Sequence, residues 1–237
     1  MEFNLLEVVC NAAELDEEEY ALVRKDSFGA SDSSILCGVN LYKKIDKLIE
    51  EKNCKFITAE EKEIGKKPAV RMGKELEPLV LQHFADTYNV VVEKPVYMYR
   101  VKEFPYLTIN FDGVTMGIEF GKTIPVEAKC VTRFGEKYYN KSVSNDSVKK
   151  MTITRQGDIQ THIKYYASKC GIPAYYYTQV QQQIYGADAP YGFLAALFVE
   201  TWTYVFFLVP RDEITISHII SSGAKANEKL IKRKEQE

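Results

Sequence analysis

The reading of the fold turns on residues 112–129, DGVTMGIEFGKTIPVEAK. Residues 114–120 and 124–130 favour extended backbone and are parted by Gly121-Lys122-Thr123, which predicts two strands joined by a tight turn. Side chains two apart on a strand point the same way, so Glu127 and Lys129 share one face while Ala128 turns to the other. Pairing of the two strands brings Asp112, at the start of the first, beside Glu127 in the second. Two neighbouring carboxylates make a hard-oxygen site suited to Mg²⁺ or Mn²⁺, with Lys129 placed to orient or polarise an attacking water. Asp, Glu and Lys are common residues, and the same pattern describes a plain hairpin with a solvated Glu-Lys pair. The rest of the chain has to decide between the two.

At 237 residues, 46% of them hydrophobic and with no low-complexity block, the chain suits one globular domain over residues 1–237 with a sizeable core. A net charge of −2 carries no global signal for nucleic acid, so any such site must be a local basic patch. Cys10, Cys37, Cys54, Cys130 and Cys170 are odd in number, scattered and never in a Cys-x-x-Cys pair. That argues against a disulfide framework and against a zinc or iron–sulfur site, and it fits a reducing cytoplasm. No apolar run approaches ~18 residues, and no basic-then-apolar leader opens the chain, so neither export nor a membrane span is expected.

Residues 1–21 form an N-terminal extension whose acidic run, Glu14 and Asp16 through Glu19, predicts a solvated helix face. In RKDSFGASDSSIL, residues 24–36, Gly29 supplies a turn and Ser31 or Asp32 an N-cap for a helix through Leu36. The free N–H groups of such a helix start, with Arg24 just upstream, would also suit a phosphate. Residues 41–52 predict a helix and residues 53–67 a polar loop. Pro78 is tolerated only in a first turn, which predicts a helix from near Lys74 to about Tyr88. Helical spacing puts Glu77 on one stripe with Val80, Leu81, Phe84 and Tyr88, so its carboxylate needs either a basic partner or a place in an active site. Residues 90–92 and 96–99 predict strands, and residues 106–111 lead directly into Asp112-Gly113. The order is α+β.

Residues 133–170 are the least regular part, with eight lysines and arginines against three acids and with Tyr138, Tyr139, Tyr165 and Tyr166 interleaved. Such a mixture suits a surface that tracks a nucleic-acid backbone and stacks bases, and equally a solvated loop. Residues 173–186 predict a helix with Tyr176, Gln179 and Gln183 on one face, where glutamines ordinarily meet solvent. The apolar runs 192–199 and 202–209 predict central buried strands, and 212–237 a C-terminal helical tail.

Gly73-x-x-x-Glu77, Phe111-Asp112-Gly113, Glu127-Ala128-Lys129 and Tyr176-x-x-Gln179-Val180-Gln181 follow Arg24 and Gly29-Ala30-Ser31. In that order and spacing they resemble the lambda-type alkaline exonucleases and YqaJ-like viral recombinases of the PD-(D/E)-x-K nuclease superfamily. The resemblance covers about residues 22–210. It implies a restriction-endonuclease-like core, a central mixed sheet flanked by helices, with residues 133–170 as an insertion. It implies that Asp112, Glu127 and the backbone carbonyl of Ala128 hold metal, that Lys129 activates the attacking water, and that Glu77 and Gln179 support it. Arg24 and Ser31 match a pocket for a DNA 5′ phosphate, and Tyr176 and Gln181 are further candidates on the same helix.

The activity implied is a 5′–3′ exonuclease using two Mg²⁺ ions, with Mn²⁺ as a substitute. It would digest one strand of duplex DNA from a 5′-phosphorylated end and leave a 3′ overhang for a single-strand annealing protein. A homotrimer is implied as well, while a cytoplasmic location, the host cell's if the chain is phage-encoded, is expected only from the missing signals and the free cysteines. A restriction-type endonuclease with the same core and a non-catalytic DNA-end-binding protein are the alternatives.

Overall fold

The predicted hairpin forms, and a second sheet stands beside the one that carries it. The computed structural model describes residues 3–116, 118 and 121–235. In chain order the first elements are β1 (Leu6–Asn11), α1 (Glu17–Val23), β2 (Phe28–Gly29), α2 (Ser33–Leu36), α3 (Ile45–Asn53), α4 (Ala59–Lys66) and α5 (Pro68–Tyr88). Strands β3 (Tyr97–Val101), β4 (Leu107–Ile109), β5 (Gly113–Thr115) and β6 (Ile124–Val131) follow. After α6 (Arg133–Glu136), α7 (Asn145–Lys149), α8 (Ile159–Cys170) and α9 (Ala174–Ala187) come β7 (Tyr191–Phe198), β8 (Thr203–Pro210) and α10 (Glu213–Lys234). The expected central sheet is thus two mixed four-stranded sheets, ordered β1-β3-β4-β2 and β5-β6-β7-β8. The α+β class stands, and helices flank both sheets. Among the described residues no helix is long and apolar enough to cross a membrane.

In the second sheet β5 pairs antiparallel with β6, Gly113 opposite Val126, and β6 runs parallel to β7. Of the first predicted strand only Gly113–Thr115 is strand; residues 117, 119 and 120 lie outside the described residues. Gly113 is required by close approach: a Cβ there would lie 2.7 Å from Val92 Cγ1 and 2.9 Å from Leu81 Cδ2. Every residue of β7 is buried, as a continuous apolar run predicts. Strand β8 is an edge strand rather than a central one. Its apolarity is matched by covering side chains, with Tyr204 stacked on His83 (centroids 3.9 Å) and Phe206 edge-on to Phe84 (5.1 Å). Asn145 closes that edge: its Nδ2 donates to Phe206 O (2.7 Å) and its Oδ1 accepts from Leu208 N (2.9 Å).

Several local expectations yield to context. Helix α5 starts at Pro68, whose missing N–H is harmless at the first position, and runs through Pro78. Pro78 and Lys74 are both exposed, so water can satisfy the carbonyl left without a donor, although a mid-helix proline still costs about 3 kcal/mol. Residues 53–67 are not all loop, because Thr58 and Glu61 form a reciprocal capping box that starts α4. Residues 90–92 form no strand, only an isolated bridge from Glu93 to Val114. Asp32 does not cap α2 with its side chain; its carboxylate turns back to Gly29 N–H (3.0 Å) and to Lys52 (2.9 Å). The irregular 133–170 stretch holds α8, capped by Asp158 and ended by Gly171 at φ 77°.

Helix α9 runs past the predicted stop at Gly186 and ends at Asp188 in the left-handed region. Gly186 serves close packing instead, since a Cβ there would run into Ile109 and Leu6 of the first sheet. Three consecutive glutamines of α9 are at most 1% exposed. Gln181 donates to Pro210 O (2.7 Å) and accepts from Asp212 N (2.9 Å). Gln182 donates to Phe28 O (3.2 Å) and Thr108 O (2.9 Å) and accepts from Ser33 Oγ. Gln183 donates to Asn110 O (3.3 Å) and Glu127 Oε2 (2.5 Å). Buried amides need such partners, and these fix the helix against both sheets.

A second polar knot joins α8, α9 and α10. Asp212, fully buried, accepts from Thr215 Oγ1 (2.6 Å), Tyr177 OH (2.9 Å) and His162 Nε2 (2.9 Å) on Oδ2, and from the N–H groups of Ile214 and Thr215 on Oδ1. His162 Nδ1 accepts from Gln156 N (3.3 Å), which assigns the ring proton to Nε2.

Candidate active site

Strand β6 and helix α9 build the site between them. Glu127 and Lys129 sit two apart on β6 and face α9, where Gln179 and Gln183 lie one turn apart. Glu127 is 1% exposed, and each of its oxygens takes one amide donor, Gln179 Nε2 on Oε1 and Gln183 Nε2 on Oε2. The β5–β6 register sets Asp112 next to Glu127, and Asp112 Oδ2 accepts from Ala128 N–H (3.0 Å).

The Lys129 ammonium touches three kinds of oxygen at once. It bonds Glu127 Oε1 and Ala128 O (3.1 Å) and lies 3.8 Å from Asp112 Oδ2. Its Nζ also sits 5.4 Å from the ring centroid of Tyr176. Burial alone would lower the Lys129 pKa; the charges of Glu127 and Asp112 outweigh it and hold the ammonium well above the ordinary lysine range. Burial, then repulsion from Asp112, pushes the Glu127 carboxyl up to about 7, against the pull of Lys129 and Gln183.

These donors fit a hard divalent cation. Two carboxylates and a carbonyl surround one positive nitrogen, and a cation would favour the ionised Glu127 carboxyl that burial first, and Asp112 second, disfavour. Among the described residues no three acidic, histidine or cysteine side chains cluster, and the candidate donors here are these two acids and the Ala128 carbonyl.

Glu77 lies at the margin of the apolar stripe of α5 rather than facing inward. Its carboxylate pairs with Lys94 (2.5 Å) and is half-buried. It shares a cleft of about 330 Å³ with Gly73, Ala128, Lys129, Cys130 and Tyr176 without bonding Lys129. Gln181 is a correction: it is buried at the joint between β8 and α10, away from the cleft. Arg24 and Ser31 do meet, Nη2 donating to Oγ at 3.2 Å.

Sequence reading missed Lys94, Tyr20 and the partner of Gln183. The shared face of Gln179 and Gln183 was visible from their spacing, but the carboxylate they hold was not. Tyr20 stands beside this pair, its ring centroid 5.9 Å from the Arg24 guanidinium carbon. Burial raises its phenol against the pull of Arg24. Lys94 is raised as well: burial lowers it, and Glu77, Asp112 and Tyr20 more than compensate.

Only ionised Glu127 can ligate a cation, so divalent-cation affinity is expected to climb with pH through about 7 and then level off. Calorimetric titration with Mn²⁺ across that window reads it, and a flat affinity would remove Glu127 from the ligand set. For the cation-free fold the sign is opposite. A carboxyl whose folded pKa lies above its ordinary 4.5 contributes its full stabilisation below 4.5 and loses it as pH rises through about 7. Replacing Gln183 with leucine frees one Glu127 oxygen from its donor and is expected to weaken Mn²⁺ binding about tenfold. Unchanged affinity in a folded variant would show that Gln179 alone orients the carboxylate.

Solved structures share this architecture at low identity. An alkaline exonuclease from Laribacter hongkongensis is 15% identical and superposes with a TM-score of 0.63 over 90% of this chain and 92% of that one. The same protein in complex with dAMP gives 16% identity and a TM-score of 0.62 over 92% of this chain and 94% of that one. No curated protein matches the sequence. The model of the YqaJ-like viral recombinase domain matches residues 19–190, which span β5, β6 and α9 and every proposed site residue, and the chain belongs to that family.

Proposed function

We propose that the chain is a metal-dependent exonuclease that digests one strand of duplex DNA from a 5′-phosphorylated end. The observation that carries this reading is the convergence of Asp112, Glu127 and the Ala128 carbonyl on the Lys129 ammonium at the rim of the cleft. Asp112, Glu127 and the Ala128 carbonyl would hold Mg²⁺, with Mn²⁺ as a substitute. An ion held there would supply Lewis acidity toward a water and the scissile phosphate. Lys129 holds a positive charge beside the reacting phosphate and orients the water that attacks in line. Gln179 and Gln183 keep the Glu127 carboxylate in place, and Tyr176 shields one wall from solvent. Among the described residues Glu77 is a further carboxylate on the same cleft that would help hold a second ion, once Lys94 releases it.

Arg24 and Ser31 form the pocket for the 5′ phosphate, the guanidinium supplying a charge-assisted donor and the hydroxyl a second one. Lys94, paired with Glu77, and Tyr20, beside the Arg24 guanidinium, would help guide the end nucleotide. The product is a 3′ overhang for a single-strand annealing protein, and the working assembly is a homotrimer in a host-cell cytoplasm.

The test is digestion of linear duplex DNA with and without 5′ phosphates, beside a closed circle, in Mg²⁺ and in EDTA. Loss of the 5′-phosphorylated strand alone, abolished by EDTA, is expected. Cutting of the circle would replace the reading with an endonuclease, and no cutting in any metal would leave an end-binding protein.

A further inference from the structure

The pocket assigned to the 5′ phosphate holds an acid as well as a base. An atom at the missing Cβ of Gly29 would lie 3.7 Å from Arg24 Nη2 and 3.9 Å from both Ser31 Oγ and Asp32 Oδ2. Three polar side chains therefore ring one small space. A free carboxylate there would repel a phosphate and draw the guanidinium to itself. Yet among the described residues Arg24 forms no ion pair, and Asp32 spends its charge elsewhere.

Lys52 accounts for that. Its ammonium comes from the last turn of α3, with the side chain only 9% exposed, and lies 2.9 Å from Asp32 Oδ2. It also donates to Arg24 O at 2.8 Å. Asp32 Oδ2 in turn accepts from Gly29 N–H (3.0 Å), so one buried charge ties down both ends of the turn that presents the pocket. Pairing with a buried ammonium cancels the Asp32 charge and leaves Arg24 with a neutral partner, Ser31 Oγ at 3.2 Å. With Lys52 present, Arg24, Asp32 and Lys52 together keep a positive charge for an incoming anion. Without it, the guanidinium and the carboxylate cancel.

Lys25 supplies the contrast. Its side chain is equally buried and anchors the same segment, with Nζ 3.0 Å from Glu51 O and 3.0 Å from Glu61 Oε1. Those bonds tie residue 25 to α3 and α4 and leave Asp32 to Lys52.

We infer that Lys52 is the positioning residue of the 5′-phosphate pocket: it cancels the Asp32 charge and holds the Arg24 backbone, leaving the guanidinium free for a terminal phosphate. The inference rests on the 5′-phosphate reading of Arg24 and Ser31, and it names what lets that pair prefer a phosphorylated end to a hydroxyl end.

The experiment uses a DNA hairpin with one open duplex end, carrying either a 5′ phosphate or a 5′ hydroxyl. Fluorescence anisotropy with the Lys129→Ala chain in EDTA gives both affinities without digestion. The phosphorylated end is expected to bind at least about tenfold tighter in this parent chain. Lys52→Met should erase most of that preference while leaving the affinity for the hydroxyl end unchanged. Lys25→Met, which removes an equally buried ammonium, should keep it. Adding Asp32→Asn to Lys52→Met should restore a preference of about threefold or more, because the carboxylate that competes for Arg24 is gone.

Equal affinities in the parent chain would remove the phosphate pocket and this inference with it. A parent preference that survives Lys52→Met, falls as far in Lys25→Met, or stays lost when Asp32→Asn is added would overturn the role of Lys52 and leave the pocket standing. Thermal melting checks that each variant folds. Should Lys52→Met not fold, Asp32→Asn alone decides: the preference is expected to hold or grow, and its loss would overturn the inference.

Discussion

Replacing Lys129 with alanine is expected to slow cleavage of 5′-phosphorylated duplex DNA by about a thousandfold, the scale seen when one preorganised charge-stabilising donor is removed. Among the described residues the lysine is the one positive group touching both Glu127 and the Ala128 carbonyl, and it lies within reach of Asp112. Its removal takes away positive charge where negative charge accumulates on the phosphate. The fold should survive. Glu127 loses its ion partner but keeps both glutamine donors, and with a carboxyl already pushed up to about 7 it can answer by holding a proton. A loss of about 1–3 kcal/mol of stability is the corresponding expectation. Single-turnover cleavage and thermal melting measured on the same preparation separate the two effects. Near-normal turnover would remove Lys129 from the mechanism.

The largest stability effect is expected at Asp212, far from the chemistry. Asp212→Ala withdraws one acceptor group from Thr215 Oγ1, Tyr177 OH and His162 Nε2 and from two backbone N–H groups, all in a pocket closed to water. Each buried donor left alone costs about 1–3 kcal/mol, and coupled losses are not simply additive. A drop of about 4 kcal/mol or more is expected, a large share of the ~5–15 kcal/mol that holds a typical domain together. Asp212→Asn should also destabilise, because an amide turns one of the two acceptor oxygens into a donor facing other donors. Urea unfolding measures both variants, and a change under about 1 kcal/mol would mean that the three helices are held by their apolar contacts alone.

The parts of this site that could be read from sequence are those whose causes are local. The β5–β6 hairpin follows from a two-residue alternation and a Gly-containing turn, and the Asp112–Glu127 neighbourhood follows from the pairing. The Glu77 stripe was also local, though its carboxylate ended at the rim with Lys94. Pro78 misled because a local rule took no account of where its freed carbonyl would point. Thr58 and Glu61 carried a legible capping box inside a stretch whose polarity read as loop.

What could not be read needed partners distant in sequence. Gln181, Gln182 and Gln183 look solvent-facing until Pro210, Phe28, Thr108 and Glu127 are brought against them. The apolarity of β8 reads as central because sequence does not reveal that His83, Phe84 and Asn145 cover an edge. Arg24 and Ser31 were found through a motif, while Tyr20, whose ring centroid lies 5.9 Å from the Arg24 guanidinium carbon, belongs to none.

The glutamine run of α9 also bears on how the chain can vary in length. Successive residues of a helix are turned by about 100°, so the three amides point in three directions, to the β8–α10 joint, to the first sheet and to Glu127. One residue inserted or deleted ahead of Gln181 would rotate all three away from their partners together. Gaps between relatives should therefore be absent from residues 174–187 and collect in residues 133–158, where the short α6 and α7 and their linkers tie the chain down at fewer points.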